Sequence, residues 1–291
     1  MTNVTSAPCY ADHAQFVSAE VMALLQTAKD TYLLRLRAPA IAQMVEPGQF
    51  VMIRLAGLTD VLLGRPLAVY DTHDGPRQPR EYLDVVFIAK GRFTSRARQL
   101  QPGAVLDVWG PLGNAFPTTS VGHLLLVAGG IGQTPFLAVS RERLGRRAYG
   151  SADRVAPSAK KVTLCYGARN AAYFSGLDDF TAAGTDVRLA TDDGSRGKHG
   201  LVTELVRDVL AEPQRPELIF VCGPEPMMQA VARIAEAESV PCYVSLETPM
   251  ACGIGICFTC VAKVKESDGE GWDYRRTCVE GPIFESSRLV W

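Results

Sequence analysis

Met250-Ala251-Cys252-Gly253-Ile254-Gly255-Ile256-Cys257-Phe258-Thr259-Cys260, closed by Cys278 further on, is the stretch around which the chain is organised. Its cysteines are spaced C-x4-C-x2-C, with the fourth after 17 intervening residues, which is the plant-type ligand pattern for a [2Fe–2S] cluster. A centre held by four thiolates is negatively charged, so the loop between the first two ligands must wrap it closely and turn N–H groups inward. Gly253 and Gly255 permit the positive φ values of such a wrap. A four-cysteine zinc site is the alternative, although such sites favour paired knuckles over a three-cysteine loop with a distant fourth. A disulfide framework fits less well, because nothing near Met1 directs the chain to an oxidising compartment.

A chain of 291 residues exceeds one ordinary domain, and three units are expected. Hydrophobic residues at 47% and charged residues at 21% supply buried cores and exclude a disordered protein. A net charge of −1, with both signs interspersed, gives no electrostatic basis for nucleic acid or an anionic membrane as partner. No apolar run approaches about 18 residues, and no basic stretch followed by an apolar one opens the chain, so the expected address is the cytoplasm. Cys9, Cys165, Cys222 and Cys242 stand outside the ligand spacing, and burial is the ordinary fate of such thiols.

The first 15 residues are polar and small and read as a frayed arm. β-rich runs follow at 17–26, 31–37, 50–55, 67–71, 83–89 and 105–109. Turn signals separate them, including Pro47-Gly48 and Pro102-Gly103, so the pattern predicts a small barrel or sandwich. One helix is expected within it, from Thr94 or Ser95 to Leu100. After Pro117 the pattern changes: strands at 124–128, 161–166, 186–191, 218–222 and 242–246 alternate with helices at 135–144, 172–180, 201–210 and 226–238. That alternation predicts a doubly wound parallel sheet. Residues 145–160 form a surface excursion with no chemistry assigned. The final segment, 247–291, is too short for a large core and is expected to lean on its bound cluster.

Gly129-Gly130-Ile131-Gly132-Gln133-Thr134-Pro135 falls between the first strand and first helix of that alternation, where backbone N–H groups and the helix dipole favour a diphosphate. A tight turn with no ligand is the alternative, and the stretch departs from the G-x-G-x-x-G fingerprint. Cys222-Gly223-Pro224 ends a later strand at the edge where open α/β sheets bind ligands. In the first unit, Arg65-Pro66-Leu67-Ala68-Val69-Tyr70 places a guanidinium suited to phosphate at the start of a strand. His13, His73, His123 and His199 show no ligand spacing.

Taken in order, these motifs, with Tyr166-Gly167-Ala168-Arg169 and the Tyr274-to-Phe284 stretch, resemble the ferredoxin–NADP reductase superfamily. Within it they resemble the electron-transfer subunits of dihydroorotate dehydrogenase B. The resemblance covers residues 16–284 and implies three units: an FAD-binding β-barrel over 16–117, an NAD-binding α/β domain over 118–246 and a [2Fe–2S] lobe over 247–291. It carries flavin contacts onto Arg65, Pro66, Leu67 and Ala68, with Ala68 where a serine is usual. Further flavin contacts fall on Val86, Phe87 and Ile88 and on the turn Gly91-Arg92-Phe93-Thr94, with Phe93 where glycine is usual. Gly129, Gly130, Gly132, Cys222 and Gly223 take the nicotinamide nucleotide, while Cys252, Cys257, Cys260 and Cys278 hold the cluster. Arg169 either receives a 2′-phosphate or sits near the cofactor, so the residues do not choose between NAD and NADP. Asp192-Asp193-Gly194-Ser195 is either a strand-end loop facing the nicotinamide crevice or an ordinary acidic turn, and Glu247, a glutamate common in the family, is expected to hold the lobe to the flavin domain. No residue is assigned to dihydroorotate chemistry, which implies a hetero-oligomer with an FMN-containing dihydroorotate dehydrogenase catalytic subunit in pyrimidine biosynthesis. The alternatives are a reductase subunit of another complex, of the ferredoxin:NADP oxidoreductase, sulfite reductase or hydrogenase type, or a zinc-stabilised binding module.

Overall fold

The computed structural model describes residues 10–55, 57, 61–266 and 271–291. Cys9 and most of the expected N-terminal arm lie outside them. Six strands, β1 (Gln15–Ala28), β2 (Thr31–Arg37), β3 (Phe50–Leu55), β4 (Arg65–His73), β5 (Tyr82–Ile88) and β6 (Val105–Leu112), close a barrel in the order β1-β2-β5-β4-β3-β6. Neighbours in it are antiparallel. Val51, Val69, Val85, Phe87, Leu106 and Val108 point inward and fill it, which is why β-branched residues recur at alternate positions. A short helix α1 (Pro39–Ala42), not foreseen in the sequence, follows β2, and α2 (Arg92–Ala97) follows β5. The start of α2 lies before the expected Thr94 because the Thr94 hydroxyl accepts from the N–H groups of Lys90 (3.0 Å) and Gly91 (2.9 Å), capping a turn begun earlier.

The second unit runs β7 (His123–Gly129), α3 (Phe136–Arg143), β8 (Lys161–Ala168), α4 (Leu177–Ala183), β9 (Asp186–Thr191), β10 (Lys198–His199), α5 (Val202–Leu210), β11 (Leu218–Cys222), α6 (Glu225–Ala237) and β12 (Cys242–Ser245). Every residue of β7 is buried. Leu124, Leu126 and Ala128 enter one core while Leu125 and Val127 enter the other, so a continuous apolar run is what a strand covered on both faces requires. In α6 the buried residues are Met228, Val231, Ala232 and Ala235, the i, i+3, i+4, i+7 stripe of a helix lying on a sheet. The helix expected at 172–180 is divided: a 3-10 turn, Ala171–Tyr173, precedes α4. Gly176 separates them with φ of 74°, and any Cβ there would lie 2.3 Å from the Tyr70 hydroxyl.

The last segment contributes β13 (Val261–Lys265), β14 (Trp272–Arg276) and β15 (Ile283–Glu285). The first two form a hairpin, whereas β15 joins the nucleotide sheet, whose order is β10-β9-β8-β7-β11-β12-β15. The sheet is therefore parallel except at this edge, where β15 runs antiparallel to β12. Val264, Phe284 and Leu289 enter one core of the sheet, while Met250 and Val279 pack with Met52 and Leu112 of the barrel. The expected dependence on a bound cofactor is thus met in part by protein packing, because the segment borrows the cores of both larger units. Asn114 pins it. Its Nδ2 donates to the carbonyl of Ile283 (2.8 Å) and its Oδ1 accepts from the Ile283 N–H (3.0 Å).

Barrel and nucleotide sheet are joined by a buried polar seam. The Tyr70 hydroxyl donates to Asp179 (2.7 Å), the Tyr149 hydroxyl to Asp71 (2.6 Å), and Arg141 pairs with Asp71. Asp71 is fully enclosed, so removing a partner would strand a buried carboxylate. Burial and the Asp179 carboxylate raise the Tyr70 phenol, keeping it a donor.

Asn114→Ala leaves both backbone groups of Ile283 without these partners and should cost about 1–3 kcal/mol. A lowered urea midpoint with an unchanged slope would register it, and an unchanged midpoint would contradict the pinning role.

Candidate functional site

The cysteine loop lies on the barrel. Gly253 has φ of 76°, and a Cβ there would fall 2.6 Å from Met52 Cγ and 3.0 Å from Leu112 Cδ1, so glycine is required by contact as well as by conformation. The Trp109 Nε1 donates to the Cys252 carbonyl (2.9 Å), and the Ile254 N–H donates to Cys252 Sγ (3.4 Å), an example of backbone turned toward sulfur. The Cys260 carbonyl accepts from the N–H (2.7 Å) and hydroxyl (3.1 Å) of Thr277, tying the third cysteine to the neighbour of the fourth.

Cys260 and Cys278 are buried, Cys252 is half-buried and Cys257 is exposed. Hydrogen bonds from the Thr259 hydroxyl and N–H hold the Cys257 thiol down at about 6, with Cys252 adding a smaller contribution in the same direction. Burial, then the adjacent Cys260, pushes Cys278 up to about 12. Cys252 adds to the upward push on Cys278, so the four thiols act on one another across the loop and the fourth ligand position. Among the described residues no three His, Cys, Asp or Glu side chains gather as one metal ion would need. A single zinc requires all four ligands around one point, whereas a two-iron cluster takes two ligands on each iron. Four soft thiolates suit zinc and an iron–sulfur cluster alike, and it is the plant-type spacing of Cys252, Cys257, Cys260 and Cys278 that favours the cluster. Ile256, Phe258, Trp272 and Tyr274 are exposed on the same segment as Cys257.

The nucleotide motifs meet at the reversal of strand order. From β7 the sheet grows through β8 and β9 on one side and β11 on the other, which is the switch point where such sheets bind ligands. Ala128 and Cys222 are register partners there. A Cβ on Gly132 would lie 2.2 Å from the Cys222 carbonyl oxygen and 2.8 Å from the Gly223 N, so the two turns touch backbone to backbone. Gly129 continues β7, and Gly130 opens a 3-10 turn, Gly130–Gln133, ahead of α3. The side-chain amide of Gln133 in that turn is fully buried and has no hydrogen-bond partner. Cys222 packs with the barrel-facing core, and burial pushes its thiol up to about 12 against a hydrogen bond with Ser245. The Glu247 carboxylate acts on it in the same raising direction.

On the barrel, Arg65 is exposed at the start of β4, with Nη1 donating to the Gly64 carbonyl (3.1 Å). Pro66, Leu67, Ala68 and Ile88 are partly exposed. The side chain of Val86 is enclosed between barrel and sheet, and those of Phe87 and Phe93 fill the barrel core, so these three can offer a ligand only their main chain. The Thr94 hydroxyl is already engaged in capping α2. No individual role is assigned from the sequence to Trp109, Asn114, Thr259 or Arg276. Each acts through a partner distant in the chain or through local backbone that residue type alone does not reveal.

The family model of the iron–sulfur cluster binding domain of dihydroorotate dehydrogenase B matches residues 247–290, and that of the oxidoreductase NAD-binding domain matches residues 126–233. The dihydroorotate dehydrogenase B (NAD(+)) electron transfer subunit of Bacillus caldolyticus is 34% identical over 266 residues, covering 90% of this chain and 94% of that one. The corresponding subunit of Desulforamulus reducens is 33% identical over 274 residues, covering 94% and 97%. Among solved structures, the NADH-dependent reduced ferredoxin-NADP oxidoreductase superposes with a TM-score of 0.78 and 28% identity, over 94% of this chain and 90% of that one. The ferredoxin reductase in carbazole 1,9a-dioxygenase, 24% identical with a TM-score of 0.62 over 78% and 67%, shares the fold.

Two outcomes follow from this geometry. In chain stripped of metal, Cys257 should be mostly thiolate at pH 7 and alkylate well ahead of Cys165, Cys222 and Cys242, all pushed to about 12. Its rate should fall as pH drops below about 6, as peptide mapping after iodoacetamide treatment would show. Gly132→Ala should force the two turns apart and weaken NADH binding at least about tenfold, roughly 1.4 kcal/mol. Titration calorimetry showing unchanged affinity would remove Gly132 from the nucleotide site.

Proposed function

The chain belongs to the family of dihydroorotate dehydrogenase B electron-transfer subunits, and from that premise we propose that it passes electrons between NAD(H) and a partner catalytic subunit that oxidises dihydroorotate with an FMN of its own. The observation that carries this reading is the position of Trp109. Its Nε1 holds the Cys252 carbonyl (2.9 Å) while the far edge of its ring lies 2.6 Å from where a Cβ on Gly64 would be. Gly64 immediately precedes Arg65, so the cysteine loop and the Arg65-Pro66 strand share one side chain.

The division of labour follows the three units, 16–117, 118–246 and 247–291. The Arg65 guanidinium binds the diphosphate of FAD, the surface of Pro66, Leu67, Ala68 and Ile88 lies along it, and Val86, Phe87, Phe93 and Thr94 contribute main chain. Gly129, Gly130 and Gly132 admit the diphosphate of NAD(H), and Cys222 with Gly223 borders the nicotinamide. Cys252, Cys257, Cys260 and Cys278 ligate the [2Fe–2S] cluster. FAD, when bound, supplies the exchange between hydride and single electrons that neither nicotinamide nor an iron–sulfur centre can make alone. No side chain of this chain is assigned to proton transfer, and dihydroorotate is left to the partner. Exposed Ile256 and Phe258, which flank Cys257 in the chain, and exposed Trp272 and Tyr274 of the β13–β14 hairpin offer apolar surface for that subunit to cover. No helix among the described residues is long and apolar enough to cross a membrane, and the cytoplasm is the proposed place of work.

Isolation of the native complex tests the assignment: the co-purifying subunit should contain FMN and oxidise dihydroorotate, and a sulfite reductase or hydrogenase in its place would refute it. Within the chain, Cys257→Ser should lose iron and acid-labile sulfide yet keep FAD, since the flavin residues lie in the barrel. Reduction of a dye by NADH should survive in this variant. Joint loss of flavin and iron would show that the two sites do not assemble independently.

A further inference from the structure

With the four cysteines taken as cluster ligands, a reading on which this rests, we infer that Arg276 is a positioning residue that locks the ligand loop and raises the midpoint potential of the cluster, with Glu280 setting how much of its charge is felt. Arg276 ends β14 two residues before Cys278, and its register partner Val261 directly follows Cys260. From there its Nη1 donates to the Gly255 carbonyl (2.9 Å), in the loop between Cys252 and Cys257. Its guanidinium carbon lies 4.9 Å from the ring centroid of Phe258, between Cys257 and Cys260. One side chain therefore touches or adjoins every ligand-bearing stretch.

Phe258 has φ of 54°, an uncommon conformation for an aromatic residue, so the loop needs an outside restraint, and the guanidinium stacked on that ring provides one. Glu280 aims the guanidinium: its Oε2 accepts from the Arg276 N–H (2.7 Å) and Nε (3.4 Å). The other Glu280 oxygen faces Arg275 (3.7 Å), so two cations share one carboxylate and Nη1 of Arg276 remains directed at the loop. Reduction adds one electron to a centre that is already negative and breaks no bond. A fixed cation held against the ligand loop lowers the energy of the reduced form more than that of the oxidised form, and partial burial limits screening. Neutralising Glu280 unmasks the cation, whereas neutralising Arg276 removes it, so the two changes must move the potential in opposite directions. A purely structural role would loosen the loop in both.

The test uses the full chain, purified anaerobically with its iron and acid-labile sulfide measured. Titration with dithionite and dye mediators, read by the EPR signal of the reduced cluster, gives the midpoint. Arg276→Gln should make reduction about three- to tenfold less favourable, a shift of about 30–60 mV to more negative potential at 59 mV per tenfold for one electron. Glu280→Gln should shift it positively, and Arg276→Lys should keep most of the original value. If Arg276→Gln fails to retain iron, Glu280→Gln decides alone. An unchanged or more negative midpoint in Glu280→Gln overturns the inference, as does an unchanged midpoint in an iron-replete Arg276→Gln. Absence of iron and sulfide from the unsubstituted chain would overturn the ligand reading beneath it.

Discussion

The indole of Trp109 stands between the cysteine loop and the strand that begins at Arg65. Its N–H holds the Cys252 carbonyl, its far edge fills the space beside Gly64, and Phe16 stacks on it with ring centroids 6.2 Å apart. Beneath it, Gly253 rests on Met52 and Leu112, so β3 and β6 form the floor of the cysteine loop. The register that pairs Met52 with Trp109 across these strands therefore fixes where the loop can sit. A slip of one residue would exchange the floor for side chains that belong in the barrel core, such as Val51 and Ile53. On the proposed assignment, the barrel carries one cofactor on its surface and is the template on which the site of the other is assembled.

A second constraint acts between barrel and nucleotide sheet. Asp71 is enclosed with Arg141 and Tyr149, and Tyr70 reaches Asp179, so rotation of one unit against the other would expose or strand buried polar groups. The core on this side of the sheet includes Val86 and Leu33 of the barrel beside Phe136 and Phe220, and Cys222 packs against it. The C-terminal segment closes the arrangement from the other edge, through β15 and the bonds made by Asn114.

Much of this was legible in the chain because it rests on local rules. Cysteine spacing announces its chemistry without tertiary information, and the strands Thr31–Arg37, Phe50–Leu55, Asp186–Thr191 and Leu218–Cys222 fall where period and turn residues place them. The glycine turn and the Cys-Gly-Pro turn could each be seen, but their backbone contact depends on β7 and β11 being neighbours, a property of topology. Motif position likewise cannot say which way a side chain faces. Phe87 and Phe93 sit in a stretch assigned to flavin yet fill the barrel core, a distinction set by strand pleat and helix phase. Trp109 is separated from Cys252 by 143 positions, and Asn114 from Ile283 by 169, so neither contact leaves a local trace. The antiparallel edge strand escaped notice for a related reason: Ile283–Glu285 is three residues long, too short for periodicity to register.

The most direct measurement of the central claim is rapid anaerobic mixing of the cofactor-replete chain with NADH, following the flavin band optically and the cluster by freeze-quench EPR. If the chain joins a hydride site to a one-electron site through the barrel, flavin absorbance should fall first and the EPR signal of the reduced cluster should rise after it. A cluster signal that grows while the flavin remains oxidised, or a flavin that NADH does not reduce, would contradict the account.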